Sequence, residues 1–158
     1  MDRPDRASDP SASGRRESPL GRAAFARFVA MTTRWSDNDP YGHLNNVVYY
    51  ELFDAAVNTL LIEAGRLDPA VSDVIGLVVE SHCRFFSSLK FPDLVEVGVA
   101  AERLGRSSVR YRLAVFKAAA ELASAQGSYT HVYVERASGR PSPIPEGHRR
   151  LMEGWTRP

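Results

Sequence analysis

A short polar stretch, 34–46 (RWSDNDPYGHLNN), gathers the side chains of this sequence that are best suited to acid–base chemistry. It places Asp39 four residues before His43, with Gly42 between them. A carboxylate can attack an electrophile or act as the general base that activates a water, and a histidine can transfer protons or polarise a carbonyl. These residues indicate a hydrolytic or proton-transfer site, provided that the neighbouring elements hold them in place.

The same residue types allow other interpretations. A calcium loop of the EF-hand type needs an oxygen ligand at its fifth position and glutamate at its twelfth, where this stretch has Tyr41 and Val48. A transition-metal site on Asp37, Asp39 and His43 would lack a second histidine at helical spacing, so no metal is expected. Aspartate, proline, glycine and asparagine are also turn residues, so a plain turn is the structural alternative. Asp37 is expected to shape the turn and not to react.

The elements on either side explain how the stretch would be positioned. Alternation and many β-branched and aromatic side chains predict a strand over 25–35. Apolar residues on nearly every face predict a buried helix over 46–64, and Gly65 follows as a stop signal. Asn45 or Asn46 can supply the N-cap of this helix. The polar stretch therefore leads from a strand into the N-terminus of a buried helix.

The rest of the chain predicts an antiparallel sheet. Four β-type segments cover 75–89, 94–104, 107–118 and 121–135, and the breaks between them are too short for parallel crossovers. A lone apolar helix needs a surface that surrounds it, so we expect an α+β hot-dog fold, a curled antiparallel sheet around one long central helix. The open face and the edge strand of such a sheet predict a homodimer or homotetramer. A short helix is predicted near 145–154.

Composition limits domain organisation and partners. Residues 1–24 hold little to bury, so we predict a disordered leader followed by one domain over 25–158. The net charge of +1 gives no general attraction to nucleic acid or acidic lipid, and neither partner is expected. The single cysteine, Cys83, permits no intrachain disulfide, and no apolar run approaches the roughly 20 residues of a membrane span. A cytoplasmic protein is expected.

Together with the following helix, the segment 34–56 (RWSDNDPYGHLNNVVYYELFDAA) resembles the signature of hot-dog acyl-CoA thioesterases of the 4-hydroxybenzoyl-CoA thioesterase type. In that family an Asp-x-Asp-x-x-Gly loop enters the central helix. The segment 102–116 (ERLGRSSVRYRLAVF) is similar to the family's turn between the third and fourth strands, and the resemblance covers roughly 26–150. It implies hydrolysis of an acyl-CoA or acyl-carrier thioester to free acid and thiol, by a homo-oligomer without metal or redox cofactor.

The resemblance also implies roles for residues of the loop. Asp39 matches the catalytic aspartate, which acts as nucleophile or general base. Asn46 matches the oxyanion donor through its main-chain N–H, since the first turn of a helix offers N–H groups without internal partners. Gly42 would permit the bend and a close approach to substrate. His43 and Asn45 match the variant Gly-His-x-Asn-Asn, and their roles stay open.

Substrate contacts are expected along the helix and at two turns. Aromatic residues of the helix would line the acyl pocket, and residues at the LGRSS and SLKFPD turns would meet the coenzyme A moiety. The candidates are Tyr49, Tyr50, Phe53, Arg106, Ser107 and Lys90. Each has a structural alternative, because aromatic residues of a buried helix are core residues first and charged strand faces are usually solvated.

Two other functions are compatible with such a fold. A non-catalytic acyl-CoA-binding hot-dog protein would use the same pocket. In such a protein, however, a carboxylate at Asp39 facing the thioester would not improve the affinity for the ligand. A hot-dog hydratase or dehydratase resembles the chain in fold but spaces its aspartate and histidine differently, whereas three residues separate Asp39 from His43 here.

Overall fold

One antiparallel sheet and one long helix dominate the computed structural model, which describes residues 17–157. In chain order the elements are β1 (Arg27–Thr32), α1 (Asn46–Glu63), β2 (Val74–Phe85), β3 (Leu94–Leu104), β4 (Ser108–Lys117), β5 (Ala125–Glu135) and α2 (Glu146–Glu153). Two short 3-10 turns cover Arg22–Ala24 and Trp35–Asp37. Within the described residues, neither α-helix is long and apolar enough to cross a membrane.

The five strands are ordered β1-β3-β4-β5-β2, and every neighbouring pair is antiparallel. Short connections dictate this arrangement for β3, β4 and β5, which follow one another in sequence and in space. β1 and β2 form the two edges of the sheet. The predicted α+β architecture of an antiparallel sheet on one central helix is confirmed.

The core lies between α1 and the inner face of the sheet. From α1 the side chain of Phe53 is fully buried, and from β4 those of Tyr111 and Leu113 are too. Alternation along β4 directs these residues inward, while Arg110 and Arg112 on the opposite face stay partly exposed. Burying one large apolar side chain contributes roughly 1.5–3 kcal/mol, so the helix and the sheet stabilise each other through this contact.

Several predicted strands are shorter in the structure, and the one predicted over 121–135 begins only at Ala125. The predicted strand 25–35 ends at Thr32, because a 3-10 turn follows at Trp35–Asp37. The predicted strand 75–89 ends at Phe85, because the next main-chain N–H groups, those of residues 86 and 87, both donate to the carbonyl of Ser124 and leave the ladder.

The start of the folded domain also differs from the prediction. Residues 1–16 of the predicted leader lie outside the described residues, but 17–24 pack on the outer face of the sheet, opposite α1. The Leu20 N–H donates to Gln126 at 2.7 Å, and Gly21 pairs with Leu122. Leu20 also contacts an apolar cluster that includes Phe25, so the segment buries more than its composition indicates. The packed region therefore begins before residue 25.

Candidate active site

The polar stretch folds into a tight hairpin between β1 and α1. Because it carries Asp39, the candidate catalytic residue, residues 37–45 are called the catalytic hairpin below. At its base the Asn45 N–H donates to the Asp37 carbonyl at 2.8 Å. Asn38 and Leu44 form an antiparallel β-bridge one residue closer to the tip of the hairpin. The turn tendencies of aspartate, asparagine and glycine produce this reversal, and the hairpin delivers the chain directly into the first turn of α1.

Asp39 lies near the tip of the catalytic hairpin. Its Oδ1 accepts the N–H of Tyr41 at 2.9 Å and the N–H of His43 at 3.2 Å. Its Oδ2 accepts no hydrogen bond from residues 17–157, so one carboxylate oxygen is held and the other is available for reaction. Gly42 has φ +82°, a left-handed conformation that a residue with a Cβ adopts only with strain. The tip therefore needs glycine for its backbone and orients the carboxylate through main-chain donors.

The N-terminus of α1 presents one main-chain donor beside this carboxylate. Asn45 is the N-cap, and its Oδ1 accepts the Val47 N–H at 3.1 Å, while its carbonyl accepts the Val48 N–H at 3.0 Å. The N–H of Asn46, the first residue of the helix, has no acceptor in the described part of the chain. Because the helix dipole places positive charge at this end, the Asn46 N–H is suited to a developing oxyanion.

These groups meet in one cavity of about 450 Å³. Its lining residues are Asp39, His43, Leu44, Asn46, Tyr49, Phe85, Phe86, Ser87 and Ser88. The rings of Tyr49 and Phe85 meet edge to face with centroids 5.0 Å apart and form an apolar wall. Burial raises the pKa of the Tyr49 hydroxyl, so this side chain stays neutral. A base, a main-chain donor and an apolar wall within one cavity can hold and attack an acyl carbonyl.

A larger groove of about 800 Å³ lies on a different side of α1, between that helix, β1 and the start of β3. Met31, Leu52 and Leu94 contribute its apolar surface. None of Asp39, His43 and Asn46 lines it. The smaller cavity is therefore the candidate active site, since size alone does not supply a base and an oxyanion donor.

The predicted substrate-binding residues divide into two groups. Tyr49 lines the cavity, and Lys90 is exposed in the same β2–β3 loop that contributes residues 86–88 to it. Tyr50 is half-buried and is not part of the lining. Phe53 is 0% exposed in the core and is not part of the lining of this cavity. Residues 49 and 53 are one turn apart on nearly the same face of α1, so their difference lies along the helix axis. Tyr49 lies nearer the N-terminus of α1 and contacts Phe85 at the end of β2, whereas Phe53 lies one turn further along in the core.

Arg106 and Ser107 lie in the β3–β4 turn, away from the lining of the cavity. Their carbonyls accept the N–H groups of Ile144 and Tyr133, at 2.9 Å and 2.7 Å. These bonds attach the turn to β5 and to the segment before α2. Arg106 and Ser107 therefore connect these segments, and neither residue lines the cavity that contains Asp39.

Sequence reasoning missed the surroundings of Asp37. This carboxylate is 4% exposed and accepts the Arg34 N–H at 2.7 Å and the Arg34 Nε–H at 2.8 Å, so Asp37 shapes the turn as expected. Arg34 Nη2 reaches both oxygens of Glu51 in α1 at 2.9 Å. Hydrogen bonds to Glu51 and then to Asp37 raise the pKa of the Arg34 guanidinium. The spacing of three residues in sequence hints at the ion pair between Arg34 and Asp37, but no local pattern indicates the ion pair between Arg34 and Glu51.

The catalytic hairpin is also attached to the β2–β3 loop. The Leu44 N–H donates to the Leu89 carbonyl at 2.7 Å, and the Phe91 N–H donates to Asn38 Oδ1 at 3.0 Å. Two walls of the cavity, the hairpin and residues 86–88, therefore belong to segments that are hydrogen-bonded to each other. The site is preorganised by these hydrogen bonds.

Comparisons with known proteins found a matching family profile and similar solved structures. Residues 33–151 match the profile of the Thioesterase-like superfamily. The solved structure of the PA5185 protein from Pseudomonas aeruginosa strain PAO1 is 47% identical, with a TM-score of 0.86 over 89% of this chain and 97% of its own. The comparison with curated proteins gave no match.

Two more distant structures share the fold. Slr0204, a 1,4-dihydroxy-2-naphthoyl-CoA thioesterase from Synechocystis, is 15% identical with a TM-score of 0.71 over 79% of this chain and 93% of its own. BH1999, a gentisyl-coenzyme A thioesterase, is 22% identical with a TM-score of 0.70 over 80% of this chain and 99% of its own. At such identities the likeness establishes the architecture and no more.

Proposed function

Because the chain belongs to the Thioesterase-like superfamily and is a thioester hydrolase, we propose that it cleaves an acyl-CoA thioester into a free acid and coenzyme A, with Asp39 as the reacting carboxylate. One observation carries the proposal. The free Oδ2 of Asp39 and the unpartnered N–H of Asn46 belong to residues that line the same cavity. An acyl carbonyl bound there would meet a base or nucleophile and an oxyanion donor together.

Two reaction courses use these groups. As general base, Asp39 takes a proton from water, the hydroxide adds to the carbonyl, and the C–S bond breaks as the tetrahedral intermediate collapses. The coenzyme A thiolate then takes this proton from the protonated carboxyl of Asp39, which regenerates the carboxylate. As nucleophile, Asp39 expels the thiolate and forms an anhydride, which water hydrolyses. In both courses the Asn46 N–H stabilises the negative charge on the carbonyl oxygen.

The remaining site residues receive supporting roles. His43 lines the cavity with an exposed side chain, so its imidazole can orient the attacking water. Gly42 and Asn45 act through the backbone, by closing the hairpin and by capping α1. For coenzyme A we propose Lys90 as a phosphate contact, because it is exposed in the loop that borders the cavity. Arg106 and Ser107 stay more remote candidates.

Tyr49, Phe85 and Phe86 make one wall of the cavity aromatic. The names of Slr0204 and BH1999 refer to thioesters of aromatic acids. We therefore propose aromatic acyl groups as the first substrates to assay, followed by aliphatic chains of increasing length and by acyl carrier protein thioesters. Apolar rings that meet edge to face favour a flat aromatic guest.

We also propose that the protein acts as a homo-oligomer, at least a dimer. Edge strand β2 leaves Leu77, Val78 and Val79 exposed at 47%, 45% and 62%. A long apolar edge with unpaired main-chain groups invites a second strand, and a second copy of β2 would supply it. Phe85 ends the same strand and lines the cavity, so the proposed interface lies next to the site.

Other sequence-based expectations stay proposals: no metal or cofactor, no nucleic-acid or membrane partner, and a cytoplasmic location. Within residues 17–157 no three histidine, cysteine, aspartate or glutamate side chains cluster as metal ligands do. A non-catalytic acyl-CoA binder would share the cavity. The Asp39 carboxylate favours hydrolysis over binding, because an uncompensated negative charge beside a thioester does not help to hold it.

Thiol release from a panel of acyl-CoA esters tests the proposed function, with Asp39→Asn as the decisive variant. Turnover should fall by on the order of a hundredfold or more, with little change in acyl-CoA affinity. Asp68→Asn is the matched control, because Asp68 Oδ1 accepts the Ala70 N–H at 2.9 Å in an equivalent turn outside the cavity. A folded Asp39→Asn protein with wild-type turnover on the best substrate would remove Asp39 from the reaction.

A further inference from the structure

Arg34 connects the two segments that carry the proposed reacting groups. Its main-chain N–H and its Nε–H donate to the two carboxylate oxygens of Asp37, at 2.7 Å and 2.8 Å. Its Nη2 donates to both oxygens of Glu51 at 2.9 Å. Asp37 opens the catalytic hairpin, and Glu51 lies five residues after Asn46 in α1. One guanidinium therefore joins the base of the hairpin to the helix.

The burial of the three side chains indicates what these ion pairs supply. The side chain of Asp37 is 5% exposed, whereas those of Arg34 and Glu51 are 58% and 56% exposed. Ion pairs with solvent-exposed partners add little to global stability. A planar guanidinium that satisfies two carboxylates at once does fix their relative orientation. Arg34 is therefore expected to fix the relative orientation of Asp37 and Glu51 and to add little to the free energy of unfolding.

The orientation of Asp37 reaches both reacting groups through short connections. Its carbonyl accepts the Asn45 N–H at 2.8 Å, and Asn45 caps α1 so that the Asn46 N–H stays open. Two residues after Asp37, the carboxylate of Asp39 is held by the turn that the same hairpin closes. A shift between the hairpin and α1 would therefore change the distance between the base and the oxyanion donor.

We propose that Arg34 is a positioning residue for thioester cleavage. It holds the catalytic hairpin against α1 so that the Asp39 carboxylate and the Asn46 N–H can contact the same substrate carbonyl. The inference rests on the proposed function. Arg34 does not line the cavity of Asp39 and acts through Asp37 and Glu51. Small displacements of a reacting group lower the rate by large factors, so the loss of Arg34 should lower kcat more than it changes KM.

The test compares Arg34→Ala, Arg34→Lys and Glu51→Gln with the wild-type protein, each alone and combined with Asp39→Asn. For Arg34→Ala we expect kcat to fall about tenfold and KM to change by less than about threefold. Arg34→Lys should restore part of the loss, because an ammonium can pair with only one of the two carboxylates at a time. In the Asp39→Asn background, Arg34→Ala should change residual turnover by less than about twofold, since no base remains to be positioned.

Arg22→Ala is the control, because it removes an ion pair of 2.9 Å to Glu96 on another part of the sheet and should keep wild-type turnover. Wild-type kcat in folded Arg34→Ala, or an undiminished loss in the Asp39→Asn background, would overturn the inference. If Arg34→Ala does not melt cooperatively, Glu51→Gln carries the same test. Wild-type turnover of Asp39→Asn overturns the proposed function itself, whereas an inactive Asp39→Asn with a fully active Arg34→Ala overturns only the positioning role.

Discussion

Asn45 Oδ1 accepts the Val47 N–H at 3.1 Å, while the N–H of Asn46 between them stays an open donor at the start of α1. The cap therefore has two consequences, one for helix stability and one for the site. A cap satisfies a helix N–H that would otherwise need water, and it fixes where the helix begins.

Replacement of Asn45 separates these two consequences. Asn45→Ala should lower the free energy of unfolding by about 1 kcal/mol, as other N-cap losses do, and should also lower kcat because the first turn frays. Asn45→Asp keeps the acceptor and should keep the stability. Urea denaturation and thiol release on both variants measure the two effects. Equal stability of Asn45→Ala and the wild type would contradict the capping role.

Acid should destabilise the fold through His131. This side chain is 2% exposed, and burial lowers the pKa of His131 from 6.5 to about 4. Below pH 6.5 the unfolded chain binds a proton that the folded chain refuses until about pH 4, so stability is full above pH 6.5 and is lost progressively between these values. The contribution is at most about 3 kcal/mol.

Denaturation between pH 4.5 and pH 7 measures this slope. His131→Gln should flatten the pH dependence, because glutamine does not titrate. His82→Gln, at an exposed position, is the matched control substitution. His148 is buried and its pKa is lowered by burial and then by Arg66, so it adds in the same direction. An unchanged slope in His131→Gln would rule out His131 as the acid-sensitive group.

A charge on the free edge of the sheet should disrupt the proposed dimer. Val79→Lys places an ammonium on β2, where a second copy would otherwise bury an apolar side chain. Sedimentation of the wild type should give the mass of at least two chains, and Val79→Lys should shift it to one chain at micromolar concentration. Val71→Lys is the control, since Val71 is 70% exposed but lies in a loop. A dimeric Val79→Lys protein would exclude this edge as the interface.

Truncation should show where the folded domain begins. Deletion of 2–16 should leave the thermal midpoint unchanged, because their composition predicts little burial. Deletion of 2–24 removes the Leu20 contact with Gln126 and the Arg22 ion pair with Glu96, and it uncovers Phe25, which is 4% exposed. The second deletion should lower the unfolding free energy by on the order of 2 kcal/mol or more. Equal midpoints for both truncations would return the boundary to residue 25.

The order of elements could be read from the sequence because each depends on local patterns. The helix predicted over 46–64 is Asn46–Glu63, since its apolar run and the following Gly65 are local signals. The strand predicted over 94–104 is Leu94–Leu104. Alternation and short breaks were sufficient for the antiparallel sheet.

Contacts between distant residues could not be read in the same way. Residues 34 and 51 lie on different elements, and only the packing of α1 on β1 brings the two side chains together. Tyr49 and Phe53 share one face of α1, and only the position along the helix axis puts Tyr49 beside the cavity and Phe53 one turn deeper in the core. Hydrophobicity alone does not show at which turn of the helix a cavity opens.

Asp39 is held by the main-chain N–H groups of residues 41 and 43 and by no side chain among those described. The identity of these two residues is therefore uncoupled from the geometry of the reacting carboxylate. Tyr41 is 84% exposed at the tip, and His43 projects into the cavity. A combinatorial library at position 41, with His43 kept in place, would vary what the enzyme recognises while the reacting groups stay fixed, so the hairpin tip is a natural starting point for directed evolution of substrate range.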